Sequence, residues 1–253
     1  MLVDEVVVKL GGSFVTKKGD DFSFREEDVG RAAEALRQAG AKLAIVHGGG
    51  SFGHPLAVRY GLSSSRPKKG SEGVPETRLA MHHLSYMICQ QLLKAGLRPF
   101  LLHATSLVRP DGSPAPGHET LLRQLLKSGL TPVSHGDVFP FKQGFKVLSG
   151  DHLAFLFCRA LKPRRMVYVL DQPGILEREG EPSSLIRELN VRELRRMVFP
   201  TGRDATGGIG AKLEAARKIT SLGVEVRFVS GFNLDGLIRA VSGANFEGTL
   251  LRG

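Results

Sequence analysis

The sequence predicts an α/β fold in which strands and helices alternate. Short apolar segments rich in β-branched residues are followed by longer segments whose apolar residues recur at helical spacing. Two early strands, over residues 6–10 and 42–46, are separated by a helix over 26–39, and each strand runs directly into a run of glycines. Ligands of open α/β sheets bind at the carboxyl ends of the strands, so we expect a ligand site at these two glycine loops.

Local patterns define the first elements. Residues 6–10 form an apolar run that only Lys9 interrupts, and residues 42–46 form a second short apolar run. The segment 26–39 carries apolar residues at the spacing of one helix face, and Gly40 suits the position after a helix end, where a left-handed backbone is common.

The rest of the chain continues the alternation. Helices are predicted over residues 75–95, 121–130, 152–161, 190–197, 211–222 and 233–241. Strands are predicted over residues 98–103, 131–134, 166–170, 225–229 and 248–251. Residues 175–189 look irregular, and the last three elements are expected to form a βαβ unit. The basic, proline-containing segment 162–165 is predicted to be a hinge between two lobes.

Length and composition indicate an ordinary globular protein. The chain has 253 residues, of which 42% are hydrophobic and 24% charged, enough for a large core. Cys89 and Cys158 lie in apolar segments without metal-ligand spacing, so we expect buried free thiols. Neither a secretory leader nor an apolar run near the roughly 20 residues of a membrane span is visible. These observations predict a cytoplasmic protein that does not associate with membranes.

The charge balance is strongly basic, with a net charge of +10 and a pI near 9.9. Such a balance raises the question of nucleic acid as a partner. The lysines and arginines are spread along the chain, however, and their small clusters lack interleaved aromatic residues. A solvated basic surface is the first interpretation, attraction of small anionic substrates is the second, and nucleic acid is not predicted as a partner.

The segment His47–His54, HGGGSFGH, is the most informative stretch. An apolar strand runs into three glycines and then into a segment that can start a helix. Glycines let the backbone approach an anion closely, and the free amides of a helix N-terminus point at it. His54 follows within reach of the same anion. The alternative is a tight turn with a capping histidine.

Two lysines can reach phosphate groups near the predicted loops. Lys9 lies near the end of a core strand, where an ammonium group is costly unless it meets a charge or water. Its alternative is a lysine at the sheet edge whose head reaches solvent. Lys212 lies one turn into a helix that follows the glycine-rich segment 204–210, and it can swing back over that loop. Its alternative is a solvent-facing helix lysine.

Acidic and histidine residues complete the list of candidates. Asp151 follows Ser149 and Gly150 at a helix start, where an N-cap is the default interpretation. Asp137, at another strand end, makes a polar site more plausible. His82 and His83 have no partners at metal-ligand spacing, so they are interpreted as structural, and no protein-bound metal site is predicted.

Four segments, spread over essentially the whole chain, together resemble the amino acid kinase superfamily. They are KLGGS from Lys9, HGGGSFGHP from His47, SGD from Ser149 and the segment 204–212. Within it, the first two motifs most resemble isopentenyl phosphate kinases, and His54 is the most specific mark. The resemblance implies a three-layer α/β/α sandwich with an open, mainly parallel sheet. It also implies an acceptor-binding and dimerising lobe over 1–162, an ATP-binding lobe over 163–253, a homodimer, and ATP with Mg²⁺ as cofactors.

The resemblance also implies roles for single residues. Lys9 and Lys212 would bridge the transferred phosphoryl group, with Lys18 as a further cation and Asp151 orienting the lysines. Gly49, His54 and Gly150 would hold the phosphate of the substrate, isopentenyl phosphate. Contacts to ATP are implied for Lys9, Gly11, Gly12, Ser13, Gly50, Asp171, Gly208 and Lys212.

Two departures from the pattern accompany the resemblance. His152 follows Asp151 where the family often has a second acidic residue, and Gln172 and Pro173 follow Asp171 where it often has Val and Asp. The alternatives to an isopentenyl phosphate kinase are a kinase of another small phosphate or phosphonate, similar to fosfomycin kinases, and a non-catalytic nucleotide-binding paralogue.

Overall fold

The structure is a computed structural model, and it describes residues 3–64, 66, 68–194 and 208–253. It confirms the α/β class and the three-layer sandwich. The strands of this part of the chain are β1 (Glu5–Leu10), β2 (Lys42–His47), β3 (Pro99–Leu101), β4 (Thr131–His135), β5 (Asp137–Phe141), β6 (Gly144–Leu148), β7 (Arg165–Leu170), β8 (Glu188–Asn190), β9 (Glu225–Ser230) and β10 (Thr249–Arg252). The helices are α1 (Gly12–Val15), α2 (Glu26–Gln38), α3 (Gly50–Arg59), α4 (Val74–Lys94), α5 (His118–Lys127), α6 (Gly150–Leu161), α7 (Val191–Leu194), α8 (Gly208–Thr220) and α9 (Leu234–Ser242).

Eight strands form one sheet in the order β3-β4-β2-β1-β7-β9-β10-β8. All neighbours pair in parallel except β9 and β10, which are antiparallel. Strands β5 and β6 form a separate antiparallel hairpin. The central strands are buried on both faces, as expected for a parallel sheet that helices cover on both sides.

The two faces of the sheet carry two separate apolar cores. On one face, alternate residues such as Val6 and Val8 of β1 pack with α1, α2, α3, α4 and α9. On the other face, Val7 and the alternate residues of β2 and β7 pack with α5, α6 and α8. The two-residue period of a strand therefore directs consecutive side chains of β1 into different cores, and Lys9 points to the side of α6.

The sheet topology brings the ends of several elements to one edge. The parallel strands β1, β2, β4 and β7 all end at the carboxyl edge, and α1, α3 and α6 begin there, at Gly12, Gly50 and Gly150. The first amides of a helix have no partner within the helix, so this edge is rich in hydrogen-bond donors.

Most of the predicted elements are present, with shifts of a few residues. The helix predicted over residues 121–130 is displaced toward the N-terminus, and α5 spans His118–Lys127. Only Pro99–Leu101 of the strand predicted over 98–103 is formed. The segment predicted to be irregular contains the short strand β8. The end of the helix predicted over 190–197 and residues 204–207 of the second glycine loop lie outside the described residues.

The predicted βαβ ending is wrong in the direction of its last strand. Helix α9 ends beside the start of β7, where the Arg165 Nη1 donates to the Val241 carbonyl over 3.0 Å. Residues 243–248 then carry the chain back along the sheet, so Thr249 starts opposite Phe228 near the far end of β9. Because the connection includes this return, β10 runs antiparallel to β9.

The division into lobes at residues 162 and 163 stays a prediction. The sheet runs across that boundary, since β1 pairs with β7 along five residues. In the described part of the chain, no helix is long and apolar enough to cross a membrane.

Candidate active site

A pocket opens at the carboxyl edge of the sheet, between the strand-end loops and the first turns of the helices that follow them. Seven residues of the predicted site line it, namely Lys9, Gly12, Gly49, His54, Gly150, Asp151 and Lys212. They come from four stretches that are distant in sequence, at residues 9–12, 49–54, 150–151 and 212. The fold therefore gathers into one cavity the two lysines, the histidine and two of the glycine loops that the sequence suggested.

The centre of the pocket holds a buried ion pair. The Lys9 Nζ lies 2.6 Å from the Asp151 Oδ1, and the two residues are 4% and 7% exposed. Lys9 also lies 5.8 Å from the centre of the Tyr168 ring, which places its ammonium group against an aromatic face. The alternative of an edge lysine that reaches solvent is therefore excluded.

Asp151 is not the cap of its helix. The Ser149 hydroxyl oxygen accepts a hydrogen bond from the His152 amide over 3.2 Å and so caps α6. Asp151 lies one residue inside the helix, and its side chain points at Lys9 instead. Since the cap is supplied by Ser149, the carboxylate of Asp151 is available to position the lysine.

The glycine loops touch each other through their backbones. A Cβ atom on Gly12 would lie 2.6 Å from the Gly50 amide nitrogen, and one on Gly50 would lie 2.6 Å from the Gly12 carbonyl oxygen. Gly50 also has a φ of +46°, in the left-handed region. Any side chain at these two positions would separate the loops that form the floor of the pocket.

A second polar group lies beside the pocket and does not line it. The Ser13 hydroxyl donates to the Asp171 Oδ1 over 2.8 Å, and the Lys18 Nζ lies 3.3 Å from the Asp171 Oδ2. The side chain of Lys18 is 78% exposed. Gly11 and Gly50 also lie outside the lining of the pocket. Gly208 is at the first described position of α8. The structure thus places Lys18 next to Asp171.

One wall of the pocket is apolar. It is formed by side chains of α3, α4 and the β5–β6 hairpin: Ala57, Met81, Val138 and Val147. The hairpin is not among the elements predicted from the sequence. A usable signal was present, because two apolar stretches flank Lys142, Gln143 and Gly144, a short connection that ends in glycine.

Asp137 borders the same wall and has an unusual environment. Its Oδ2 lies 3.2 Å from the Arg78 Nη2, and its Oδ1 accepts from the Val138 amide over 2.7 Å. Burial raises the pKa of Asp137 to about 6, although the charge of Arg78 opposes this rise. The hypothesis of a second strand-end aspartate at a polar site is consistent with this position.

His82 and His83, which are neighbours on α4, have different surroundings. His83 packs edge-on against Phe52, with ring centres 6.1 Å apart, as a structural residue would. His82 instead lies beside His103 and His135, and one ring nitrogen from each lies within 4.8 Å of the others. His82 has no partner at metal-ligand spacing in the sequence, and it is the fold that brings His103 and His135 to its ring. The structural interpretation of His82 stays a prediction.

His47 is buried beneath the pocket and has a structural role. Burial lowers its pKa to about 4, so it is neutral at physiological pH. Its Nδ1 lies 3.0 Å from the Gly48 carbonyl and its Nε2 2.8 Å from the Ser85 hydroxyl, so both ring nitrogens have partners. These contacts fix the strand end from which the glycine loop starts.

The fold and the pocket define a class of protein. The sequence profile of the amino acid kinase family matches residues 4–230, and the chain belongs to this family. Proteins of this class include phosphotransferases that use ATP as the co-substrate.

Within the family, the chain is similar to isopentenyl phosphate kinases. It is 28% identical to that of Methanothermobacter thermautotrophicus over 98% of this chain and 99% of the relative. It is 32% identical to that of Haloferax volcanii over 98% of both chains. A solved structure of the Thermoplasma acidophilum isopentenyl phosphate kinase product complex has a TM-score of 0.81 at 28% identity and covers 98% of this chain and 100% of that one. These matches confirm the resemblance that the glycine-loop motifs indicated.

The buried ion pair leads to a testable prediction. Asp151→Asn leaves the Lys9 ammonium buried without its counter-charge, and we expect the free energy of unfolding in urea to fall by about 3 kcal/mol. The matched control is Asp235→Asn, which removes an exposed pair with Arg239 on α9 and should cost less than about 1 kcal/mol. Equal losses in the two variants would contradict the assignment of Lys9 and Asp151 as a coupled buried pair.

Proposed function

We propose that this protein transfers the γ-phosphoryl group of ATP to isopentenyl phosphate and forms isopentenyl diphosphate for isoprenoid biosynthesis. The single observation that carries the proposal is the polarity of the pocket. Lys9, His54, Lys212 and the glycine loops line it together with apolar side chains of α3, α4 and the hairpin. A small acceptor with an anionic head and an alkenyl tail matches both kinds of lining.

We assign the acceptor phosphate to Gly49, His54 and Gly150. Gly49 and Gly150 lie at the starts of α3 and α6, where unpaired amides favour an anion. His54 is on the first turns of α3 and lines the same cavity. An imidazole N–H there would donate a hydrogen bond to a phosphate oxygen. His54 is not assigned the role of a general base, because the dianionic acceptor has no proton that must be removed.

The donor phosphates are assigned to the neighbouring loops. Lys9 and Lys212 would contact the transferred phosphoryl group, and the backbones of Gly11, Gly12, Gly50 and Gly208 would face the ATP phosphates. Ser13, Lys18 and Asp171 form the adjoining polar group and are proposed to contact the nucleotide side. An ammonium group has three donors, so Lys9 can keep its bond to Asp151 and still bind phosphate oxygens.

Mg²⁺ is proposed to enter the site with ATP. The carboxylates nearest the pocket in the described structure, Asp137, Asp151 and Asp171, each lie beside a cation. This donor set fits an ion that is held by phosphate oxygens and water, as is common for Mg²⁺, and not by a protein cage. When bound, the ion would neutralise charge on the donor phosphates.

The reaction needs positioning and charge neutralisation more than acid–base chemistry. An acceptor phosphate with a second pKa near ~6 is largely dianionic at pH 7 and is already a nucleophile. One of its oxygens bonds to the γ-phosphorus while the bond to the bridging oxygen breaks and ADP leaves. Because donor and acceptor are both anionic, the lysines offset their repulsion and the charge of the equatorial oxygens. Asp151 acts by holding Lys9 in place.

We also propose that the protein is a cytoplasmic homodimer formed through residues 1–162. Helix α4 exposes Leu79, Tyr86 and Leu93 to solvent, and their seven-residue spacing places them in one stripe. An exposed apolar stripe of this kind is typical of an interface. Sedimentation equilibrium should give twice the chain mass for the wild type and a shift toward the monomer for Tyr86→Glu; a monomeric wild type would contradict the proposal.

A panel of acceptors tests the proposed reaction. We expect ADP release with ATP and Mg²⁺ in the presence of isopentenyl phosphate, because that acceptor matches both the cationic and the apolar side chains that line the pocket. Fosfomycin, N-acetylglutamate and UMP should give no turnover above the rate without acceptor. If fosfomycin were the only acceptor turned over, the proposed phosphoryl transfer would stand, but isopentenyl phosphate would be rejected as the substrate. No turnover with any acceptor, with ATP still bound, would favour the non-catalytic paralogue.

The role of His54 can be separated from general effects of histidine removal. His54→Ala should lower kcat/KM for isopentenyl phosphate by about 10- to 100-fold, the equivalent of one hydrogen bond to a charged group. The control is His118→Ala at the start of α5, outside the pocket, which should stay within about twofold of the wild type. Similar small decreases in kcat/KM in both folded variants would contradict the proposed contact between His54 and the acceptor phosphate.

A further inference from the structure

Three histidines converge behind the apolar wall of the pocket. His82 belongs to α4, His103 follows β3, and His135 ends β4. The ring centres of His82 and His103 are 4.6 Å apart, and those of His82 and His135 are 5.7 Å apart. One nitrogen of each ring lies within 4.8 Å of the other two. His103 follows His82 by 21 residues, and His135 follows His103 by 32, so only the fold brings the three side chains together.

Each of the three rings has a buried nitrogen without a hydrogen-bond partner. These are the Nε2 of His82, the Nδ1 of His103 and the Nε2 of His135. Buried polar atoms normally have partners, and three unpaired ones in a single cluster are costly. His135 is wholly buried, with 0% exposure, so solvent does not reach it. A ligand that accepts three lone pairs would remove this cost.

The protonation state of His135 is set by its backbone. Its Nδ1 lies 3.0 Å from the Gly136 carbonyl oxygen, which can only accept, so the proton lies on Nδ1. The Nε2 therefore presents a lone pair to the cluster. A backbone carbonyl that orients a ring in this way is typical of metal-binding histidines.

We propose that His82, His103 and His135 form a binding site for a divalent transition-metal ion, with Zn²⁺ as the best match. Three imidazoles are a preferred ligand set for Zn²⁺ and a poor one for Mg²⁺ or Ca²⁺, which take oxygen ligands. Ligands at about 2.1 Å from a tetrahedral ion lie about 3.4 Å apart, so small ring rotations close the observed separation.

The fourth position can be filled by water or by Asp137. The Asp137 Oδ2 lies 3.9 Å from the His82 Nε2, and its other close charge is Arg78 at 3.2 Å. Because Arg78 and Asp137 neutralise each other, the site carries little net charge when empty. The bound ion would join α4 to the ends of β3 and β4.

The site is separate from the proposed reaction. The three histidines do not line the pocket, but Gly136 and Asp137, which follow His135 directly, do. Occupancy would thus hold one pocket wall in place. The proposal does not depend on the identity of the acceptor, and it can be tested without nucleotide or substrate.

Metal titration of the untagged protein tests the proposal. We expect wild-type protein, stripped with a chelator, to bind one equivalent of Zn²⁺ in calorimetry. Co²⁺ in its place should give the visible absorption of a tetrahedral ion. Saturating Zn²⁺ should raise the melting temperature by roughly 5 °C or more, whereas Mg²⁺ should not. His82→Ala, which alters a partly exposed position on α4, and His103→Ala should each lower Zn²⁺ affinity by at least about 100-fold.

Two matched controls separate this site from other histidines. His83→Ala changes the neighbouring residue on the same helix, and His54→Ala changes the histidine of the pocket. Both should keep the Zn²⁺ stoichiometry and the Co²⁺ absorption of the wild type. Absence of stoichiometric Zn²⁺ binding by the wild type would overturn the proposal and leave a buried water as the partner of the three nitrogens. Equal binding by His82→Ala and wild type, or loss of binding only in His54→Ala, would overturn it as well.

Discussion

The ion pair between Lys9 and Asp151 joins the central strand of the sheet to the helix that faces it. Burying two charges costs several kcal/mol in desolvation, and replacement by apolar residues of similar size is often neutral or stabilising. The pair is therefore a poor way to stabilise the fold. We propose that its value lies in placing a buried ammonium group in the lining of the pocket, where a phosphate oxygen would meet it in a medium of low polarity. Asp151 makes that placement possible because Ser149 has taken over the cap of α6.

The backbone provides the second part of the same environment. Gly12 and Gly50 approach so closely that neither tolerates a side chain, and both lie where helices begin. The first amides of these helices and of the helix that begins at Gly150 carry partial positive charge at the same edge of the sheet. Further lysine side chains would have to be ordered at an entropic cost when the anions bind. A rigid floor of backbone donors reduces that cost, and this explains why glycines and not further lysines surround the pocket.

The parts of the fold that depend on local pattern could be predicted from the sequence. The strands that carry Lys9 and His47 and the glycine loops follow from apolar spacing and from the rule that ligands bind at strand ends. The resemblance to the amino acid kinase superfamily implied that Lys9, His54, Asp151 and Lys212 share one site. The antiparallel direction of β10 could not be predicted, because it depends on a return segment with no regular pattern. The contact between Lys18 and Asp171 depends on a side chain 153 positions away in the chain. The cluster of His82, His103 and His135 likewise depends on how α4 crosses the ends of β3 and β4.

The proposed acceptor site and the histidine cluster share the same two supports. Met81 packs its sulfur against Gly53, where a Cβ atom would lie only 2.6 Å away, and so closes the pocket between α3 and α4. The next residue on α4 is His82, which points to the cluster. On the opposite side, Val138 of the pocket wall follows His135 by three residues across Gly136 and Asp137. In the proposed reaction, the depth available to an apolar tail would be set by the spacing between α4 and the start of the β5–β6 hairpin. An ion bound by His82 and His135 would fix that same spacing, because His82 directly follows Met81 and His135 lies three residues before Val138.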